Sequence, residues 1–312
     1  MECSIIVLTY NSQLEKILQT LNSILNQHNL QKIEIVISDD GSKYNNFKEI
    51  ETFFFEHAFK NYKLVPNEYN KGTVENFYAG AKVAAGRYIK AIGCGDLLFE
   101  KETIVKICEF MDEGNKKICF GLLKAFNKNG EGITYRDCNI PMDLKAFKDK
   151  NQKKINRNII TWGKLISGAS LFFERDCLIK LLKEIRGKVK FCEDYIQIIA
   201  LVKEIQIYFF DENVVWYEIG DGISTSKDPV WEKRIKQDYD TLFIYMEQKY
   251  YNNKYVSKRV TKQRLGRYPR LLRGIIKFLI DPGMFLIPIR TSIQKKQGLY
   301  NGKNIKGFLN EV

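Results

Sequence analysis

The chain has 312 residues, 45% hydrophobic and 28% charged, which is enough for a large buried core and excludes a disordered polar segment. Its net charge of +13 is concentrated at one end: from Lys258 onward there are 13 Lys/Arg against Asp281 and Glu311, +11 in all, leaving +2 for residues 1–257. Two histidines, His28 and His57, and seven scattered cysteines with no C-x-x-C pair argue against a histidine triad, a zinc site or a disulfide frame.

"CSIIVLT" (3–9) predicts a buried strand so close to the start that no room is left for a signal peptide, and the cysteines read as reduced thiols of a cytosolic protein. A helix follows near 14–26, with Leu14, Ile17, Leu18, Leu21 and Leu25 on one face. "IEIVIS" (33–38) is a second buried strand ending in the turn "DDGS"; then come a helix over 45–57, the short strand "YKLVP", a helix over 73–85 and the strand "RYIKAI" (87–92). Both histidines fall in stretches read as helical. This alternation, with continuous apolar strands, predicts an α/β fold with a mostly parallel central sheet covered by helices on both faces. In such sheets ligands gather at the carboxyl ends of strands, here the turns after Thr9, Ser38 and Ile92.

Residues 125–160 are polar and rich in lysine and predict a variable connection without a clear period. Order resumes with "ASLFF" (169–173), a helix over 174–185, the acidic turn "FCEDY" (191–195) opening a helix, "IQIYFF" (205–210) and a helix over 230–250.

Three acidic points sit at predicted strand ends or helix starts: Asp39/Asp40, Asp96 and Glu193/Asp194. Each has an ordinary structural reading. "DDGS" suits a turn or helix cap, Asp96 would cap a helix starting near Lys101, and the Glu193/Asp194 pair favours a helix N-terminus. Trp162 and Trp216 read as core, with stacking on a sugar ring as the functional alternative, and "WYEIGDGISTS" (216–226) reads as a loop or a flap over a ligand.

Taken together and in order, "SIIVLTYNSQLEKILQTLNSILNQ", "IEIVISDDGS", "NKGTVENFYAGAKVAAGRYIKAIGCGD", "SGASLFF" and "CEDY" resemble the family 2 glycosyltransferases of GT-A fold, most closely over residues 3–110. The resemblance implies that Thr9, Tyr10 and Asn11 form a nucleotide-binding turn and that Asp39 and Asp40 contact the base and ribose of a nucleoside diphosphate sugar. Gly72 and Asn76 would border that pocket, and Asp96, beside Gly95, would hold Mn²⁺ or Mg²⁺ on the diphosphate. Asp194, with Glu193 beside it, would be the catalytic base of a single inverting displacement. Gly93 and Gly95 stand where the family often carries acids. One carboxylate is enough for Mg²⁺ when phosphate and water complete its shell, and the glycines let a diphosphate approach the backbone.

The expected division is a nucleotide-sugar-binding and catalytic domain over 1–228 and a basic, mainly helical region over 229–312. Residues 264–296 mix arginines with apolar clusters too short to span a bilayer, which suits an anionic membrane surface contacted through 258–312; packing on the catalytic domain or a homo-oligomer contact is the other reading. No nucleic-acid module accompanies the charge. The resulting expectation is transfer from a UDP-sugar to a lipid-linked saccharide acceptor in bacterial surface (capsular) polysaccharide synthesis, in the cytoplasm at the inner face of the cell membrane. The alternatives are a non-catalytic GT-A partner, which the two glycines permit, and a transferase acting on a protein-linked glycan. A nucleotidyltransferase or a dehydrogenase would need a glycine-rich loop where "TYNSQLEK" stands.

Overall fold

The computed structural model describes residues 1–129, 132–138, 140–219, 229–304 and 306–310. Nine strands among the described residues form one sheet in the order β3-β2-β1-β4-β8-β6-β9-β5, with β7 paired to β6. The amino-terminal half is built of parallel strands: β1 (Cys3–Thr9), β2 (Ile33–Asp39), β3 (Tyr62–Pro66) and β4 (Tyr88–Gly93). These are connected by α1 (Leu14–Leu25), α2 (Phe47–Glu56) and α3 (Thr73–Val83). β5 (Leu97–Leu98) and α4 (Thr103–Asp112) follow. The carboxyl half is mixed: β8 (Leu171–Glu174) is antiparallel to β4 and β6 (Ile118–Asn129), whereas β9 (Tyr208–Glu218) is parallel to β6 and antiparallel to β5.

Apolar residues alternate between the two sheet faces because successive strand side chains point to opposite sides. Ile6, Val36 and Ile89 enter one core, and Ile5, Val7, Ile35 and Ile37 enter the other, each with no more than a trace of exposure. β1, β2 and β4 are therefore buried on both faces, as their unbroken apolar runs require. β1 is the switch point, with β2 on one side and β4 on the other.

The structure corrects several expectations. The buried side of α1 is Ile17, Thr20, Leu21, Ser23 and Ile24, whereas Leu14, Leu18 and Leu25 are only half-buried. The helix is rotated because Thr20 and Ser23 bond the 93–98 turn. His28 and His57 lie in turns just past α1 and α2. The described residues of 125–160 fall largely in regular elements: they complete β6, pair it with β7 (Gly132–Asp137), and form α5 (Lys145–Lys148), α6 (Gln152–Asn156) and a π-turn over Arg157–Thr161. The polar composition of the stretch hid the end of β6, where Ala125 and Phe126 are buried. Trp162 and Trp216 are both core residues. The loop reading of 216–226 falls outside the described residues beyond position 219; Trp216–Glu218 end β9. All seven cysteines are free.

α7 (Arg175–Ile185) and α8 (Ile196–Val202) cover the sheet, and four further helices follow: α9 (Pro229–Tyr250), α10 (Lys254–Arg264), α11 (Arg270–Ile280) and α12 (Ile287–Lys296). α9 sends Leu242 and Met246 into the core, and the buried Arg259 of α10 donates to Ile160 O at 2.8 Å. The chain end returns to the sheet: Phe308 N donates to Phe99 O at 2.9 Å, and the same carbonyl accepts from Trp216 Nε1 at 3.2 Å.

Trp216 has no exposed surface and stacks on Phe99 at 4.8 Å between ring centroids. Trp216→Ala is expected to lower the unfolding free energy by about 3–5 kcal/mol, measured by urea denaturation.

Candidate active site

In the β1–β2 register Thr9 lies opposite Asp39, and in the β1–β4 register Leu8 lies opposite Gly93, so three loops open side by side at the carboxyl ends of three parallel strands. At the first corner, Asp39 accepts from Thr9 Oγ1 (2.8 Å), Ser42 N (2.8 Å) and Ser42 Oγ (2.6 Å). Asn11, at φ +47°, donates its N–H to the same Ser42 hydroxyl at 2.7 Å. Asp40 accepts from Lys71 N and Gly72 N at 2.8 and 2.9 Å, and burial raises its pKa. Asn76, buried on α3, donates to Ser38 O at 2.9 Å and accepts from Ser38 Oγ at 2.8 Å, tying the helix to the end of β2. Thr9, Asn11, Asp39, Asp40, Gly72 and Asn76 thus form one bonded group, with Tyr10 half-exposed at its edge. The acidic pair caps no helix, since α2 begins eight residues beyond Asp39 with Asn46 at its N-cap.

The second corner is the turn after β4. Asp96 is buried at 7% exposure, and its Oδ1 accepts from Glu218 N at 2.9 Å. It is not a helix cap, because α4 starts at Thr103 with Glu102 at its N-cap. α1 shapes the turn: Thr20 Oγ1 donates to Asp96 O (2.9 Å) and accepts from Gly95 N (3.0 Å), while Ser23 Oγ accepts from Leu98 N (3.2 Å). Gly95 has φ +93°, and a Cβ there would lie 2.0 Å from Glu218 Oε2. The Glu218 carboxylate therefore occupies the space of the missing side chain and is paired to Lys16 at 2.8 Å. Burial pushes the Asp96 pKa up to about 7, with Glu218 raising it further and Lys90 and Lys16 opposing.

The third element, the turn before α8, is brought in by packing. Lys190 O accepts from Val74 N at 2.9 Å, and a Cβ on Gly72 (φ +93°) would meet that oxygen at 2.6 Å, so only glycine lets the two loops touch this closely. From α9, the buried Asp238 accepts from Lys190 N (3.0 Å), Phe191 N (2.6 Å) and Cys192 N (3.1 Å). Asp194 then rests against Gly168, where a Cβ would lie 2.1 Å from its Oδ1. The Gly168 N–H favours the charged form without meeting hydrogen-bond geometry, so Asp194 Oδ1 is buried and unpartnered. Burial raises the pKa of both Asp194 and Glu193.

Lys90 links the second and third elements. It has no exposed surface, and its ammonium donates to Ala91 O (2.7 Å) and Ala169 O (2.5 Å), beside Gly168. Burial lowers its pKa to about 8, and the negative fields of Asp96 and Asp194 hold it from falling further. Lys90, Glu218 and Asp238 pack into this candidate site, and the sequence reading missed all three. A lysine inside an apolar strand and an acid closing "VVWYE" were visible signals; Asp238 sits on an ordinary amphipathic helix and gave none.

Asp238→Ala strands three backbone N–H groups and is expected to cost about 2–4 kcal/mol, measured by chemical denaturation. Asp194 predicts a pH dependence of known sign. Its folded pKa is raised, so the native state keeps the proton to higher pH than the unfolded chain, and stability falls as pH rises from about 4 through the folded value. Asp194→Asn is therefore expected to match the wild type in acid and to melt higher at pH above neutrality, measured by thermal melts across pH.

A family model for glycosyl transferase family 2 matches residues 4–182, more than half of the chain. Among solved structures, S. aureus TarS 1-349 in complex with UDP aligns with a TM-score of 0.54 at 17% identity, covering 86% of this chain and 73% of that one. The same fragment with UDP-GlcNAc gives 0.53 at 19%, covering 86% and 73%, and the fragment with no ligand named gives 0.51 at 17%, covering 96% and 92%. At such identities the likeness establishes the fold. No curated protein matches the chain. With the family match running through the strands that carry Thr9, Asp39, Asp40 and Asp96, the chain belongs to glycosyl transferase family 2 and is a glycosyltransferase.

Proposed function

We propose that the protein transfers a sugar, with inversion, from a UDP-sugar to a hydroxyl of a lipid-linked saccharide in bacterial surface polysaccharide synthesis, capsular or similar, working at the inner face of the cell membrane. The observation that carries the transfer chemistry is the convergence of Asp39/Asp40, Asp96 and Asp194 on adjacent loops at one end of the sheet, with Lys90 between the last two. The TarS complexes with UDP and UDP-GlcNAc support a UDP-sugar as donor. In this division, residues 1–228 hold the donor and the base, and 229–312 supply the membrane-facing region.

Thr9, Tyr10 and Asn11 would flank the nucleotide, with Asp39 and Asp40 accepting hydrogen bonds from base and ribose. Both carboxylates are already oriented by protein donors, so little ordering is left to binding. The residues fit a hard divalent cation such as Mn²⁺ or Mg²⁺: Asp96 and Glu218 offer carboxylate oxygens, and beside them Gly93 leaves open space, a Cβ there meeting only Asp96 Oδ2 at 3.6 Å. Among the described residues no group of three or more such ligands exists, so the diphosphate and water would complete the shell. When bound, the cation offsets the charge developing on the leaving diphosphate. Lys90 favours the ionised form of Asp96 from behind, against the burial that raises its pKa. Asp194 accepts the proton of the attacking hydroxyl, and its raised pKa strengthens it as a base; Glu193 beside it orients Asp194 or the acceptor.

UDP and UDP-GlcNAc with Mn²⁺ are expected to raise the melting temperature, and Asp96→Ala to abolish the shift. Asp194→Asn is expected to retain it while transfer falls about 10²–10⁴-fold. Glu218→Gln is expected to weaken Mn²⁺ binding about tenfold, read by titration calorimetry with UDP present. Transfer rates untouched by both Asp96→Ala and Asp194→Asn would reject these roles and leave the fold as that of a non-catalytic partner.

A further inference from the structure

α11 is an amphipathic helix turned the wrong way round for a globular protein. Its apolar residues Leu271, Leu272, Ile275, Phe278 and Leu279 follow the i, i+1, i+4, i+7, i+8 spacing of a single helical stripe. That stripe faces outward, with Leu271 at 80% and Leu279 at 73% exposure, whereas Arg273 and Lys277 on the opposite side are half-buried. No residue of α11 is buried. The apolar surface continues past it, as Phe285, Leu286, Ile289 and Ile293 are also exposed and Phe285 packs beside Phe278 at 5.8 Å between centroids.

The charge around this surface has one sign. Under the helix, Lys262 is drawn down to a pKa of about 7 by burial and by its cationic neighbours Arg259, Lys277 and Lys164. The acid of this region, Asp281, is already engaged by Trp162 Nε1 at 2.6 Å and Arg157 at 3.6 Å. A soluble partner would have to supply both an apolar face and a rim of negative charge, and an anionic bilayer surface supplies both at once. No helix among the described residues is long and apolar enough to cross a membrane, and the 11 residues of α11 extend about 16 Å, half of a hydrocarbon core. The geometry therefore suits a helix lying in the plane of the headgroups.

We propose that α11, with the exposed residues of 285–293, is an interfacial docking face that enters an anionic leaflet through Leu271, Ile275, Phe278 and Leu279, while exposed cations at its edge, Arg267 and Arg270, contact lipid phosphates. This deepens the proposed reading, since it names the surface on which a lipid-linked acceptor would be met, but its own test requires no transfer. The full-length chain is incubated with phosphatidylcholine vesicles, with and without phosphatidylglycerol, and sedimented. Binding to the phosphatidylglycerol vesicles is expected to exceed binding to the neutral ones by about tenfold or more and to weaken with salt. The Leu271→Asp/Leu279→Asp variant is expected to lose that binding about tenfold or more, and Arg270→Glu to lose part of it. Because these side chains project into solvent, the melting temperature and the UDP-dependent shift are expected to remain at wild-type values, which separates failure of docking from failure of the donor site. Wild-type protein that ignores anionic vesicles, or a Leu271→Asp/Leu279→Asp variant that binds them undiminished, would overturn the proposal. A wild-type dimer that dissociates on Leu271→Asp/Leu279→Asp substitution without any vesicle binding would also overturn it, assigning the face to a second copy of the chain.

Discussion

A lysine ammonium without exposed surface sits at the junction of the site's acidic loops, and much of the molecule is arranged to tolerate it. Lys90 is carried into the interior by a central strand, where an unpaired charge would cost several kcal/mol. Two carbonyls, Ala91 O and Ala169 O, accept hydrogen bonds from it, and the fields of Asp96 and Asp194 favour its charged form. The dependence is mutual. Buried carboxylates on neighbouring loops would repel each other or take up protons, and a cation near both offsets that tendency in a low-dielectric setting.

The turn after β4 shows how much a short loop borrows from distant chain. Its backbone is bonded by Thr20 and Ser23 of α1, its carboxylate by the N–H of Glu218 at the end of β9, and its glycine is covered by the Glu218 side chain. An acid absent from the loop is thus matched by one arriving from 122 residues further along the chain. The same holds for the turn bearing Asp194, whose approach to α3 needs Gly72 to lack a side chain and Asp238 to gather three N–H groups. The two halves of the sheet differ accordingly. The parallel half, made of consecutive βαβ units, presents Asp39, Asp40 and Asp96, and the mixed half returns across it to deliver Glu218 and the turn bearing Asp194.

The carboxyl-terminal helices follow a different rule. α9 and α10 turn apolar or buried residues inward and join the core, and the chain end closes over Phe99 and Trp216. Between them α11 turns its longest apolar stripe outward and leaves Arg273 and Lys277 half-buried beside Ile276 and Ile280. Local propensity is equally satisfied in both cases, since a helix wheel has no inside until something packs against it.

This marks the boundary between what the sequence determined and what the tertiary structure decided. Continuous apolar strands, 3.6-residue periods and the acids placed after strands specify the α/β order, the parallel half of the sheet and the corner containing Thr9, Asp39 and Asp40, because all of these rest on contacts between elements adjacent in the chain. Asp96 and Asp194 were legible as acids at element ends and were assigned to one site by resemblance, but the buried Lys90 ammonium that feels both of them was not foreseen. The roles of Lys90, Glu218 and Asp238, the rotation of α1, the end of β6 hidden in the polar stretch 125–160 and the direction in which α11 faces depend on pairings between residues far apart in sequence. Burial and charge at such positions are properties of the space between elements, and only the folded chain defines that space.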